Sequence, residues 1–262
     1  MRPLTLLLRR VVLRAFAAWL VCSGAPADRV AAAPTSDCPP TQASRPWQAG
    51  ASTPAQRSDH PAGYSHLLTP SPAGWAHLQR WCVWVEPTRA PTTTAAVGAA
   101  AVATADPVEA RWQQAVLAAL ASWEEELVIV PVTDPARAQV LVRRQRPPLR
   151  ELGGRPRASH GRASLQVLEV QRDGSWRLEP KVVVLISPGQ RQLAIQATAL
   201  HELGHAFGLW GHSDDPADAL AAMPGSQPVV ALTARDRATL RWLQAQPSRF
   251  GQPLPAPAPA QP

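Results

Sequence analysis

The chain has 262 residues, enough for one or two domains with a buried core. It carries 26 Lys and Arg against 19 Asp and Glu, but four of the arginines lie within residues 1–27, which hold no acid, so 22 basic residues remain against 19 acidic ones without that segment. This small excess does not favour a nucleic-acid partner, and no segment reaches the roughly 18 consecutive apolar residues typical of an integral membrane span.

Residues 1–27 have the pattern of an export signal. Arginines precede a short apolar run, and Ala25-Pro26-Ala27 supplies the small residues typical of a cleavage site. The sequence therefore predicts a signal peptide and an exported protein, secreted or periplasmic. The alternative is an amphipathic N-terminal helix that is retained as an anchor.

The next segment and the end of the chain are rich in residues that disfavour a core. Residues 28–75 are dominated by Pro, Ala, Ser and Thr, which predicts a linker or pro-segment, and residues 249–262 predict a Pro/Ala-rich tail. Residues 87–105 predict a low-complexity insertion. After signal removal Cys38 and Cys82 remain, and an exported compartment permits a disulfide between them, although their spacing alone does not decide whether it forms.

Residues 76–248 contain the predicted elements of a single folded domain. A first strand is predicted at residues 81–85. Asp106-Pro107 with Glu109 then marks a helix start, and the tryptophans that follow at helical spacing are predicted to lie in the core. Short β-branched or alternating runs predict four further strands, and two helices end the domain, the second capped by Thr233 with Asp236. The predicted strands span residues 127–132, 139–143, 164–170 and 181–186, and the helices span 189–207 and 233–246.

The order of these elements predicts the fold class. One strand, a helix, several strands and two helices indicate an α/β domain of the α+β type with a mixed sheet.

The chemistry is concentrated in the segment HELGHAFGLWGH, which begins at His201. His201 and His205 are four residues apart and share one face of a helix, where two neutral imidazoles can bind Zn²⁺. Glu202 is adjacent to the first histidine and can reach a water on the metal. Gly208 permits the turn that ends the helix, so that His212 can supply a third ligand from the following loop.

This segment resembles the metzincin zinc metallopeptidases, most closely their matrixin-like branch, because HELGHAFGL is very similar to the matrixin helix. The resemblance covers residues 75–248. It implies a twisted sheet above a zinc cleft, with His201, His205 and His212 as ligands of one catalytic zinc, Glu202 as the general base, and a methionine turn beneath the metal.

The sequence departs from the family pattern in two places. The third histidine of the family usually lies ten residues after the first, where this chain has Gly211, and we expect the loop to absorb the extra residue that brings His212 to the metal. Asp214 or Asp215 is the alternative third ligand. Met223 is farther from the motif than the family methionine, so either Met223 or Leu220 is expected to form the apolar floor.

Other candidate ligands are weaker. The single tyrosine, Tyr64, lies far from the motif, which argues against a tyrosine ligand, and His160 is interpreted as a loop residue. No second, structural zinc is predicted. Three acidic residues could hold Ca²⁺, but a solvated acidic loop is the preferred interpretation, as a solvated loop is for the arginine-rich residues 143–146. The acidic residues are Asp214, Asp215 and Asp218.

These observations predict an exported, monomeric zinc endopeptidase that acts on protein or peptide substrates with a zinc-bound water activated by Glu202. The alternative is an exported zinc-binding module without catalytic activity. Substrate preference, and whether the N-terminal segment inhibits the enzyme, are not predictable from the residues.

Overall fold

The computed structural model describes residues 38–48, 61–89, 106–152, 155–157 and 159–254. The predicted signal peptide, most of the predicted insertion at 87–105 and residues 255–262 of the predicted tail lie outside these ranges. The described elements, in chain order, are β1 (Ala43–Pro46), β2 (Trp81–Val85), α1 (Pro107–Glu124), β3 (Ile129–Pro131), β4 (Val140–Arg143), β5 (Arg150–Leu152), β6 (Arg155–Arg157), β7 (Gly161–Arg172), β8 (Ser175–Ile186), α2 (Gln192–Ala206) and α3 (Ala234–Gln244).

Six of these strands form one mixed sheet in the order β1-β7-β8-β4-β2-β3. The strands β3, β2, β4 and β8 are parallel neighbours, whereas β7 pairs antiparallel with β8 and β1 pairs antiparallel with β7. Asp173 and Gly174 join β7 to β8 with φ angles of 48° and 74°, as a tight hairpin turn requires. With three described α-helices, the fold is mixed α/β, in agreement with the predicted class.

The predicted starts of α1 and α3 are confirmed, whereas α2 begins at Gln192, three residues later than predicted. The Asp106 carboxylate accepts a hydrogen bond from the Val108 amide, and Pro107 occupies the first turn of α1. Thr233 and Asp236 form the reciprocal capping box at the start of α3. Both caps satisfy amides that have no partner within the helix, and for this reason the two helix starts could be predicted from the capping residues.

The core lies between the sheet and the helices. Trp112 and Trp123 on α1 are fully buried, as predicted, and their indole N–H groups donate to the carbonyls of Ile186 and Leu200 at 3.1 Å. Phe207, just after α2, packs edge-on against Trp123 with ring centroids 5.7 Å apart. These contacts join α1 to β8 and to α2, and so hold the helix that carries the motif against the sheet.

The prediction that residues 28–75 lie outside the core is wrong for the described part of that segment. Tyr64, Leu68 and Trp75 are at most 2% exposed and belong to the main core cluster. Strand β1 extends the sheet, and Cys38 forms the disulfide with Cys82 in β2 that the sequence left open. The composition of the segment did not predict this packing, because its few large apolar residues are outnumbered by Pro, Ala, Ser and Thr. Those few residues are nevertheless buried in the main core.

Two further expectations are corrected. The tail begins later than predicted, since Phe250 is 4% exposed and the Leu254 amide donates to the Trp176 carbonyl. The arginine-rich run is not simply a solvated loop, because the Arg144 side chain is 6% exposed and its guanidinium lies 3.0 Å from the buried carboxylate of Glu109. Each group neutralises the other, as burial of charge requires.

Candidate metal centre

The two helix histidines converge on one point beside α2. His201 and His205 lie one turn apart, and their Nε2 atoms are 3.2 Å from each other. The Nδ1 atom of His201 is 2.9 Å from the Ala219 carbonyl, and that of His205 is 2.8 Å from the Leu209 carbonyl. A carbonyl accepts a hydrogen bond from the protonated Nδ1 atom, and in that tautomer the Nε2 lone pair of each ring is available to a metal.

His212 joins these two rings from the loop after α2. Its ring centroid lies 5.2 Å from that of His201 and 4.8 Å from that of His205. One nitrogen from each of the three imidazoles falls within a group whose atoms are all within 4.8 Å of one another. Three convergent imidazole nitrogens are a donor set that suits Zn²⁺ and leaves room for further ligands.

Two glycines explain how the loop places His212. Gly208 has a φ of +105°, and a Cβ there would lie 2.5 Å from the Ala76 carbonyl oxygen, so the predicted role of this glycine in ending α2 is confirmed. A Cβ on Gly211 would lie 2.3 Å from the Leu67 carbonyl oxygen. A side chain at position 211 would therefore clash with the backbone of residues 67 and 68, and the histidine of this loop is at position 212.

Burial keeps the two helix histidines neutral. Burial, together with the neighbouring His212, lowers the pKa of His201 to about 4. Burial, together with His201, lowers the pKa of His205 to about 3. The Trp210 ring stacks on His205 with centroids 5.6 Å apart and shields it further. A neutral imidazole is the form that binds a metal, so no proton needs to be removed near neutral pH.

A cavity of about 490 Å³ opens beside the histidines, and Glu202 lines it together with His201 and His212. The remaining walls are mostly small or apolar and come from α2 and from the segment that precedes α3. The cavity also contacts His160 and Gly161 at the start of β7. His160 is exposed and is not part of the three-histidine group, which agrees with its interpretation as a loop residue.

The apolar residue packed against the motif helix is Leu220, not Met223. Leu220 is fully buried, and its Cδ1 atom lies 2.4 Å from where a Cβ on Gly204 would be, so the leucine fills the space left by that glycine. Met223 is 79% exposed. The interpretation of Met223 as a packed floor beneath the metal is therefore wrong, and the leucine alternative agrees with the packing.

The acidic residues after His212 surround an arginine. Arg235 on α3 contacts Asp214 at 2.7 Å, Asp215 at 3.3 Å and Asp218 at 3.4 Å. Arg235 also lowers the pKa of Asp214. The contacts with Arg235, together with the grouping of the three histidines, favour His212 over Asp214 or Asp215 as third ligand.

A buried hydrogen-bond chain fixes the carbonyl that orients His201. The Tyr64 hydroxyl donates to one oxygen of Asp236 at 2.7 Å, and the other oxygen accepts the Ala219 amide at 3.0 Å. Burial and the nearby Asp236 carboxylate raise the pKa of Tyr64, which keeps the hydroxyl protonated. Tyr64 is therefore engaged in this chain, in agreement with its exclusion as a ligand.

Sequence reasoning missed three parts of the site that carry no side-chain signal of their own. They are the carbonyls of Leu209 and Ala219 and the close approach of Gly161 to Glu202.

No described helix is both long and apolar enough to cross a membrane. In comparisons with known proteins, no family model matches the chain and no curated sequence is significantly similar to it.

Proposed function

We propose that the protein is an exported zinc-dependent endopeptidase with a metzincin-like, matrixin-type catalytic domain. The observation that carries this proposal is the convergence of three imidazoles in one group, with Glu202 lining the same cavity. The described elements, which are two strands, a helix, six strands and two helices in chain order, are compatible with the α+β class that the proposal requires. The proposed cofactor is one Zn²⁺ held by His201, His205 and His212.

The proposed mechanism assigns a separate task to each residue. Bound zinc supplies Lewis acidity, lowering the pKa of water towards neutrality and polarising the scissile carbonyl. The three imidazoles hold the metal, and the carbonyls of Ala219 and Leu209 hold two of the rings in the required orientation. Glu202 accepts a proton from the attacking water on its carboxylate and then delivers it to the leaving amine.

The sheet edge beside the cavity suits an extended peptide. Strand β1 pairs with β7 only at residues 168–171, and the Trp47 amide adds one bond to the Val167 carbonyl. Among the described strands, none pairs with residues 161–166 on that side of β7. A peptide that adds to this edge as a strand would bring its backbone next to the histidines.

Export and oligomeric state belong to the same proposal. Export rests on the signal pattern of residues 1–27, and the Cys38–Cys82 disulfide is consistent with an oxidising compartment. We propose that the mature chain acts as a monomer, since all three proposed ligands and the proposed base come from one chain.

Glu202→Gln tests the proposed base directly. The variant is expected to bind about one zinc per chain, as the wild type does, while the rate of peptide hydrolysis falls by about 10²–10⁴-fold, because the amide cannot accept the proton. Zinc is measured by elemental analysis of the purified chain, and hydrolysis with a library of fluorogenic peptides. The matched control is Glu124→Gln, an exposed residue on α1, which should match the wild type in both measurements.

The outcomes separate the two candidate functions. Hydrolysis by Glu202→Gln at the wild-type rate would refute the assignment of the base. A wild type that binds zinc but hydrolyses no peptide in the library would favour the catalytically silent binding module. If the wild type binds no zinc, both the endopeptidase and the zinc-binding module are refuted.

A further inference from the structure

Gly161, the first residue of β7, lies in direct contact with the motif helix. A Cβ placed on its backbone would be 2.6 Å from both Cγ and Oε1 of Glu202 and 2.6 Å from Cγ2 of Thr198. Non-bonded atoms of this kind are not found closer than about 3 Å, because van der Waals contact between carbons is at about 3.5–4.0 Å. The strand and the helix therefore approach each other at a point where only a hydrogen atom fits.

A side chain at position 161 would move Glu202 rather than the surrounding structure. Strand β7 is fixed by its full-length pairing with β8, which begins with Gly161 opposite Ile186. Thr198 is β-branched and on a helix, where its χ1 rotation is restricted, and its hydroxyl contacts Gln190 at 3.3 Å. The Glu202 side chain has three rotatable bonds and is the most easily displaced of these neighbours.

We propose that Gly161 is a positioning residue for the proposed peptidase reaction. The lack of a side chain leaves the space in which the Glu202 carboxylate lies, on the cavity side of α2 and beside His201. This inference rests on the proposed function, because the position of Glu202 affects the reaction only if Glu202 is the general base. It adds a residue that lies 41 positions from Glu202 in the chain and outside the histidine motif.

Gly161→Ala tests this role in the zinc-loaded enzyme. We expect kcat to fall by about 10²-fold, because a displacement of about 1 Å in a catalytic group costs that much, while KM changes little and zinc remains at about one per chain. Gly189→Ala is the matched control, because a Cβ there meets nothing nearer than Ser187 Oγ at 4.0 Å. The control should keep the kcat, KM and zinc content of the wild type.

A double-mutant cycle tests the contact without using activity. In zinc-free protein, Gly161→Ala is expected to lower Tm, and the same substitution in a Glu202→Ala background should lower it by no more than about half as much, because the crowded carboxylate is gone. The contact with Thr198 is common to both backgrounds and does not contribute to the difference.

Each result decides the proposal. A wild-type kcat in Gly161→Ala, a loss of zinc together with activity, or an equal decrease in Tm in both backgrounds would overturn it. If the wild-type enzyme hydrolyses no peptide, the proposed function fails on its own, and the Tm cycle still shows whether Gly161 makes room for Glu202.

Discussion

His212 differs from the other two proposed ligands in how it reaches the site. Helix geometry brings His201 and His205 to one face of α2, whereas His212 is exposed and depends on the loop that Gly208 and Gly211 permit. The sequence leaves an alternative to His212, because two aspartates follow within three residues. Both aspartates contact Arg235, which favours His212 as the proposed third ligand.

We therefore predict that His212→Ala weakens zinc binding strongly. Loss of a hydrogen-bond partner of a metal ligand costs about 10–100-fold in affinity, so loss of a ligand itself should cost more. The dissociation constant is measured by competition with a chromogenic chelator. His160→Ala is the matched control, because His160 lines the same cavity but lies outside the three-histidine group.

The result also tests the aspartate alternative. Unchanged zinc affinity in His212→Ala, together with weakened binding in Asp214→Ala or Asp215→Ala, would transfer the third ligand to a carboxylate. Equal weakening in His160→Ala would instead indicate that the cavity as a whole, and not one imidazole, determines affinity.

At the scale of elements, the sequence predicted those whose signals are local. The caps at Asp106 and Thr233 define helix starts because a side chain satisfies amides only two or three residues away. The short parallel strands β2 and β4 are legible as apolar runs between turn residues. The strands β7 and β8 are longer than predicted. Residues 175–180 of β8 are more polar than the apolar run that follows them, and they are in the strand because they pair with residues 167–172 of β7.

Strand β1 was not predictable in the same way. Its residues, ASRP, carry no apolar alternation, and the strand exists because β7 offers an edge on which Arg45 can pair with Glu169 at 2.6 Å. Gly161 is a comparable case at the site, because its importance arises only when β7 and α2 are packed together. Both features depend on contacts between residues distant in the chain, which composition and periodicity do not encode.

The disulfide joins the described segment 38–48 to β2, which lies next to the edge strand β3, and we predict that it contributes strongly to stability. Cys38 and Cys82 are separated by 44 positions, and closing a loop of that length in the unfolded chain stabilises the folded state by about 4 kcal/mol in the chain-entropy model. The double variant Cys38→Ser/Cys82→Ser should therefore have a free energy of unfolding in urea that is lower by up to about 4 kcal/mol.

Wild type unfolded under reducing conditions is the matched comparison. Equal stability of the oxidised wild type and the variant would show that the bond is not formed in solution.

At the scale of the whole molecule, the segment predicted to be a linker supports the proposed metal centre. The Thr69 amide donates to the Trp210 carbonyl at 2.7 Å, Leu67 contacts Gly211, and Tyr64 reaches Asp236. The loop that carries His212 is thus held between the motif helix and residues 61–69. The site is a property of the entire described domain, because the third ligand needs a segment that lies more than 130 residues earlier in the chain.

The same early segment is connected to the end of the domain. The rings of Trp75 and Trp242 meet edge-on with centroids 5.2 Å apart, and the Ser248 hydroxyl donates to the Trp75 carbonyl at 2.8 Å. His77 lies in this contact, with Nε2 2.9 Å from the Gln246 carbonyl. Burial lowers the pKa of His77 below its ordinary value of 6.5, an effect that the Gln246 carbonyl opposes only in part.

This lowered pKa predicts a pH-dependent contribution of His77 to global stability. The unfolded chain binds a proton at His77 more readily than the folded chain does, so the contribution is fully present above about pH 6.5 and is lost as the pH falls towards the folded-state pKa. His77→Gln keeps a side-chain donor for the Gln246 carbonyl but cannot be protonated. The difference in unfolding free energy between wild type and His77→Gln should therefore shift in favour of the variant between pH 7.5 and pH 5.5.

Urea unfolding at both values, with a chelator present so that zinc does not contribute, measures this shift. His66→Gln, at an exposed position, should show no comparable change, and parallel pH profiles for wild type and His77→Gln would contradict the prediction.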